Sequence, residues 1–251
     1  MSQKGAVLFR EDGKRLDGRG ITDLREISMK VGVLKQAQGS AFVQMGKNKV
    51  VAGVYGPREV FPKFLTNPNK AIINCRYVMA PFSSMEEHGR SGPNRRSQEI
   101  SKVIKHVFEN AVLVNQFPKT AIDISMEVMQ SDGGTRVASL NAAALALADA
   151  GIPLKDVVSG VSVGKAQGRV IVDLSKEEDN QGESDVPMAF SMRTGEILLY
   201  QMDGMMTAEE VDESISLGWE AAKKVHEIQL AALRDKYSGA QEQDESGEKV
   251  F

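Results

Sequence analysis

The sequence has a single cysteine among its 251 residues, which excludes an internal disulfide and suits a reducing compartment. Cys75 lies in a mixed apolar and polar run, where a lone cysteine serves as a small buried residue, and no role is assigned to it. No apolar run approaches the roughly 20 residues needed to cross a bilayer, so no membrane partner is expected. The opening stretch, MSQKGAVLFREDGKR, has no apolar core followed by a cleavage site and does not read as a secretory signal. A cytoplasmic protein is therefore expected. Neither sign of charge dominates: 31 Lys and Arg stand against 34 Asp and Glu, a net charge of −3, which excludes a uniformly basic surface. With 41% hydrophobic and 26% charged residues, the composition is that of an ordinary globular chain.

What the chain does have is uneven charge. Residues 63–105 hold eight Lys and Arg against three Glu, and residues 207–251 hold five bases against eleven acids. A basic central segment in an acidic chain suits a local anion site, although two oppositely charged solvated faces would give the same pattern. Alternating apolar positions predict strands over 26–32, 39–46 and 48–55, with a hairpin at GKN, and a further strand over 71–79. Residues 57–70 carry three prolines and are expected to be a loop, as is the Ser/Gly/Pro-rich segment 81–95. Ile100, Val103, Ile104, Val107, Phe108 and Val112 recur at helical spacing and predict a helix over 96–115. A strand over 121–129 and an Ala/Leu-rich helix over 136–150 follow. Two hairpins, 157–174 turning at AQGR and 187–202 turning at RTGE, flank an acidic loop at 175–186. Thr207 and Glu210 fit a capping box opening a long last helix. The expected architecture is α+β, one domain over 1–237 built from two similar halves, with 238–251 a disordered acidic tail.

Four constellations carry chemistry. Ser131-Asp132-Gly133-Gly134-Thr135-Arg136 joins a strand to a helix. Its glycines admit close backbone approach, helix N–H groups favour an anion, and Arg136 offers a fork for phosphate oxygens. A plain turn with Thr135 as N-cap is the simpler alternative. Arg95 and Arg96 open the 96–115 helix, where the dipole already disfavours cations, so an outside anion such as RNA phosphate would suit them. Pairing with Glu99 or another subunit is the competing explanation. Residues 173–185 hold six carboxylates and one lysine, enough like charge to keep one carboxyl protonated or to hold a divalent cation. A solvated acidic loop is the alternative, but the apolar VPMAF that follows places Asp185 near a sheet. Finally, Arg58, Phe61, Lys63 and Phe64 interleave bases with aromatics, a pattern suited to single-stranded RNA.

Five motifs in order, RLDGRG at 15–20, VYGPRE at 54–59, NRRSQEISKVI at 94–104, SDGGTRVASLNAA at 131–143 and DLSKEEDNQGESDVP at 173–187, resemble the RNase PH family. The form resembled is the catalytic subunit of the archaeal exosome, and the likeness runs from Arg15 to Tyr237. It implies an RNase PH-like (ribosomal protein S5 domain 2-like) fold and phosphorolytic 3′→5′ degradation of RNA to nucleoside 5′-diphosphates. On that resemblance, Gly134, Thr135 and Arg136 bind the co-substrate inorganic phosphate, and Arg95 and Arg96 hold the RNA's terminal phosphates. Asp179 is the catalytic acid, Asp185 the second essential carboxylate, the two being the implied Mg²⁺ ligands. Lys63, with Arg58, contacts RNA. The family implies a hexameric ring with a related inactive subunit and RNA-binding cap proteins. Two other readings stay open: a homohexameric, tRNA-trimming RNase PH, and a non-catalytic RNA-binding ring subunit.

Overall fold

The computed structural model describes residues 8–84 and 94–245, with side chains described through Ser238. The first half lays five strands in one sheet: β1 (Ile27–Val31), β2 (Gly39–Met45), β3 (Asn48–Glu59), β4 (Ile72–Met79) and β5 (Thr120–Gln130), in the order β1-β2-β3-β5-β4. Only the β4–β5 pair is parallel, and its crossover carries helix α1 (Arg95–Ala111). The second half adds β6 (Val158–Ala166), β7 (Arg169–Val172), β8 (Ser184–Ser191), β9 (Ile197–Tyr200) and β10 (Asp203–Gly204). They form a sheet ordered β10-β8-β6-β7, with β9 also paired to β8. Helices α2 (Thr135–Asp149), α3 (Lys176–Gln181) and α4 (Ala208–Glu245) complete the described elements.

Helix α2 explains how the halves unite. Val137, Ala138 and every residue from Ser139 to Leu147 are buried, so the helix has no solvent face. It packs against β2, β3 and β5 on one side and β6 on the other. Small Ala side chains permit that approach, and so does Gly39: a Cβ there would lie 2.3 Å from the Ala146 carbonyl oxygen. The first sheet presents Val50, Ala52, Val54, Ile124, Met126 and Val128 to this core, and the second presents Val158, Val161, Val163, Val186 and Met188. In the first sheet these positions alternate along each strand, the period that marked them in the sequence, whereas β6 is buried on both faces.

Several expected boundaries move. Helix α1 starts at Arg95 because Asn94 and Ser97 form a capping box, and it stops at Ala111 because Val112 turns extended and bridges to Leu154. Strand β3 continues through Pro57 to Glu59, so Arg58 lies on a strand rather than in the expected loop. The ladder to β5 is irregular between Tyr55 and Arg58, which is where a residue lacking an N–H can be accommodated. The acidic segment 175–186 is not a loop. Ser175 and Glu178 form a capping box that opens α3, with Glu177, Glu178 and Asp179 in its first turn, where negative charge suits the helix dipole. Helix α4 begins on the Thr207–Glu210 box as expected and runs to Glu245, past Ser238 where order was expected to end. Most of the expected 81–95 loop, residues 85–93, lies outside the described residues. Among the described residues, no helix is long and apolar enough to cross a membrane.

Candidate active site

A cavity of about 510 Å³ opens where the two halves meet. Its wall includes Arg96 from α1, Gly134, Thr135 and Arg136 from the start of α2, Asp179 from α3 and Asp185 from β8. Six residues expected to act together, spread over ninety positions of sequence, thus share one space.

The Ser131–Arg136 turn is built to leave donors free. Gly133 and Gly134 both take positive φ (70° and 68°), and Gly134 caps α2 without any side-chain hydrogen bond to the helix. Thr135 is therefore the first helical residue and not the cap, and the first N–H groups of α2 have no side-chain partner. The turn is held from behind by Asn48, whose amide donates to the Gly133 carbonyl and whose Oδ1 accepts from Asp132 N at 2.5 Å. Thr135 is buried, and its hydroxyl accepts from Tyr77 Oη at 2.9 Å. That contact leaves the Thr135 proton free to donate. Burial pushes the Tyr77 hydroxyl pKa up, against the hydrogen bond to Thr135 and the charge of Arg96, so Tyr77 stays a neutral donor.

The opposite wall is acidic. Burial, reinforced by Asp179 and Asp203, pushes Asp185 up to about 7 against the pull of Arg136 and Arg96. Asp179 is raised as well, by burial first and by Asp203, with Arg96, Arg136 and Arg25 opposing. Two carboxylates in one site titrate as a pair, so a proton near neutrality belongs to both. Strand β8 starts at Ser184, two residues before the apolar VPMAF run, so Asp185 lies within the sheet itself, paired to Gly164 and Asp203.

The six-carboxylate run divides by role. Asp173 and Glu178 are structural. Asp173 is fully buried at a positive φ of 56°, and Arg25 grips it through its backbone N (2.7 Å), Nε (3.0 Å) and Nη2 (2.7 Å). Glu178 pairs with Arg15, a completely buried arginine that also donates to the carbonyls of Val172 (2.6 Å) and Asp173 (2.8 Å). The RLDGRG segment therefore acts as a brace for the turn into α3, and so for Asp179. Gly133 completes the join: a Cβ on it would stand 2.7 Å from Lys176 N, so the Ser131–Arg136 turn and α3 touch through bare backbone. Glu183 pairs with Lys165 at 3.4 Å, and Glu177 is exposed.

Three expected residues stand apart. Arg95 is exposed on the first turn of α1 and does not line the cavity. Arg58 pairs with Asp123 at the far end of β5 from the Ser131 turn, and Lys63 follows in a short 3₁₀ turn with Phe61 91% and Phe64 83% exposed. At ~3.3 Å per residue, the strand between them puts roughly 25–30 Å between this patch and the cavity.

Sequence reading missed five contributors. Asp203 adds a third carboxylate, opposite Asp185 in the β8–β10 ladder. Ser162 and Ser184 line the cavity with buried hydroxyls that lack partners, as does Arg136 Nε. Glu99 and Gln201 bond Arg136 at 2.9 and 2.8 Å. Their sequence neighbourhoods carry no signal for this, except that Glu99 belongs to the NRRSQEI motif. Cys75, expected to be buried, is half-buried on β4, and desolvation pushes its thiol up to about 12.

Comparison with known proteins shows the family. Residues 23–153 match the 3′ exoribonuclease family, domain 1, and residues 156–221 match its domain 2. The chain is 51% identical over 249 residues to the exosome complex component Rrp41 of Pyrococcus furiosus, covering 99% of both chains. It is 54% identical over 234 residues to that of Thermococcus kodakarensis, covering 93% of this chain and 94% of the other. Among solved structures, rice Rrp46 superposes with a TM-score of 0.79 at 27% identity, covering 88% of this chain and all (100%) of that one. A chain of the Archaeoglobus fulgidus exosome with RNA bound to the active site gives 0.73 at 25% identity, covering 90% and 93%. The two matched segments take in both sheets and meet at the cavity, and the chain belongs to the RNase PH family of 3′ exoribonucleases.

Proposed function

We propose that the chain is the catalytic subunit of an archaeal-type exosome ring and shortens RNA from its 3′ end by phosphorolysis, releasing nucleoside 5′-diphosphates. The observation that carries this reading is the cavity itself. An anion seat with uncapped helix N–H groups, two arginines and unpartnered hydroxyls faces two carboxyls, Asp179 and Asp185, whose pKa values burial raises.

Inorganic phosphate would sit at Gly134–Arg136, with Ser162 and Ser184 as further donors. Arg96 would hold the terminal phosphodiester in line with it, and Arg95 the chain just upstream. A phosphate oxygen attacks the phosphorus, the P–O3′ bond breaks, and the carboxyl pair of Asp179 and Asp185 gives a proton to the leaving O3′. The terminal nucleotide departs as a diphosphate, so the same groups run the reaction backwards when diphosphate is in excess. Asp179 and Asp185 fit a Mg²⁺ ion, which takes one or two carboxylates and completes its shell with water and substrate phosphate. Among the described residues no group of three or more His, Cys, Asp or Glu is arranged to hold a metal. When bound, that ion would neutralise charge on the phosphoryl oxygens.

Relatives named Rrp41 at about half identity over nearly their whole length support the exosome setting, as does the likeness to an exosome chain whose active site holds RNA. A related inactive subunit and RNA-binding caps are the proposed neighbours. The exposed patch of Arg58, Phe61, Lys63 and Phe64 would touch single-stranded RNA on its way to the cavity. The lone cysteine suits a cytoplasmic location.

The test is digestion of 5′-labelled and uniformly labelled RNA with Mg²⁺, with and without phosphate, by the chain alone and with its ring partner. Diphosphates that appear only with phosphate are the expected products. Monophosphates formed regardless of phosphate would make water the nucleophile, and an inactive assembled ring would leave only RNA binding.

A further inference from the structure

Arg136 does not stand free in the cavity. Its Nη2 donates to Glu99 Oε2 at 2.9 Å and its Nη1 to Gln201 Oε1 at 2.8 Å, while Gln201 Nε2 donates to Glu99 Oε1 at 3.1 Å. The three side chains close a triangle. Glu99 comes from α1 and Arg136 from α2 in the first half, and Gln201 follows β9 in the second. One nitrogen is left over: Arg136 Nε is buried and has no partner. A buried donor without an acceptor in a cavity wall marks a place for a ligand.

We propose that Glu99 and Gln201 are positioning residues that hold Arg136 so that its Nε edge is presented to inorganic phosphate. The proposal rests on the phosphorolytic reading of the cavity and assigns two residues that the reaction itself does not use. An arginine side chain is long and loses much rotamer freedom when it binds, so a fork fixed beforehand at Nη1 and Nη2 binds an anion more tightly. The carboxylate of Glu99 also lowers the local positive charge, which works the other way. Its side chain is 43% exposed, however, whereas that of Arg136 is 23% exposed, so solvent screens the charge effect while the geometric one persists. Positioning therefore wins, and removing Glu99 should weaken phosphate binding.

The experiment titrates inorganic phosphate calorimetrically into the full chain and its Glu99→Ala, Glu99→Gln and Gln201→Ala variants. It also measures the phosphate KM and kcat for phosphorolysis of single-stranded RNA. Glu99→Ala should weaken phosphate binding and raise its KM by roughly three- to tenfold, the range one such hydrogen bond supplies. Its RNA affinity and its kcat at saturating phosphate should stay within about twofold. Glu99→Gln keeps an acceptor for Nη2 and should recover most of the affinity, and Gln201→Ala should give a smaller loss of the same kind. Unchanged or tighter phosphate binding in Glu99→Ala overturns the proposal, and so does a parallel loss of RNA affinity. A wild-type chain that neither binds phosphate nor needs it for turnover overturns the phosphorolytic reading first, and this proposal with it.

Discussion

Arg15→Ala should be among the most damaging single substitutions outside the cavity, although Arg15 never touches substrate. The guanidinium is completely buried and bonds both oxygens of Glu178 and the carbonyls of Val172 and Asp173. Removing it strands the Glu178 carboxylate, only 6% exposed, without its main cation. Breaking a buried pair from one side costs about 3–5 kcal/mol. For a chain of this size each kcal/mol lowers Tm by about 2–4 °C, so a drop of roughly 6–20 °C follows. Turnover should fall with it, because Asp179 is the next residue on α3. The check is thermal unfolding followed by circular dichroism, in parallel with the RNA digest. Arg15→Met combined with Glu178→Leu supplies the control. An apolar pair of similar bulk should recover more than half of the lost stability, because no charge is then left unpaired. A drop in Tm below about 3 °C for Arg15→Ala, or a double variant no better than the single one, would refute the view that this ion pair braces α3.

Asp179→Asn should reduce phosphorolysis by about 10²–10⁴-fold while RNA affinity, read by filter binding, stays near wild type; a loss below tenfold would remove Asp179 from proton transfer. Arg96→Gln should weaken RNA binding and make the slope of log affinity against log salt shallower by about 0.7, the share of one single-strand phosphate contact. An unchanged slope would separate Arg96 from the RNA backbone. Acid should unfold the protein through Asp173 and Glu178. Burial works against both charges, but Arg25 with Arg19 and Arg15 with the Ser175 hydrogen bonds respectively outweigh it, so both folded-state pKa values lie below the ordinary carboxylate range. Depressed values mean that the stabilisation is present in full above the unfolded pKa values of about 4 and is lost as pH falls through the folded ones. Urea midpoints measured from pH 7 down to pH 3 should first rise, because the raised carboxyls of Asp185 and Asp179 take up protons more readily in the folded state, and should then decline below about pH 4; that decline should be smaller in Glu178→Gln than in wild type, measured from its own maximum.

Much of this molecule was written in local sequence. Alternating Val, Ile and Ala residues determined the strands of the first sheet, because a half-buried strand exposes every second side chain to the core. Thr207 and Glu210 marked the start of α4, and Ser175 and Glu178 carry the same S/T-x-x-E signature at the start of α3, within a segment whose density of negative charge reads as a loop. Motif order identified Gly134, Thr135, Arg136, Arg96, Asp179 and Asp185, and all six line the cavity. Tertiary structure alone decided which charges work and which merely hold. Asp173 is indistinguishable from Asp179 and Asp185 by composition, and Glu178 is set apart by its capping-box spacing from Ser175. What divides them is that Arg25 and Arg15, more than a hundred residues away in the chain, bond the first two directly and not the second two. The triangle of Glu99, Arg136 and Gln201 likewise exists only once the two halves pack together, and the placement of Asp203 opposite Asp185 only once β10 pairs with β8. Periodicity and caps are encoded by neighbours a few residues apart, so a sequence reports them directly. The pairing of a buried charge depends on contacts across the fold, and nothing local specifies it.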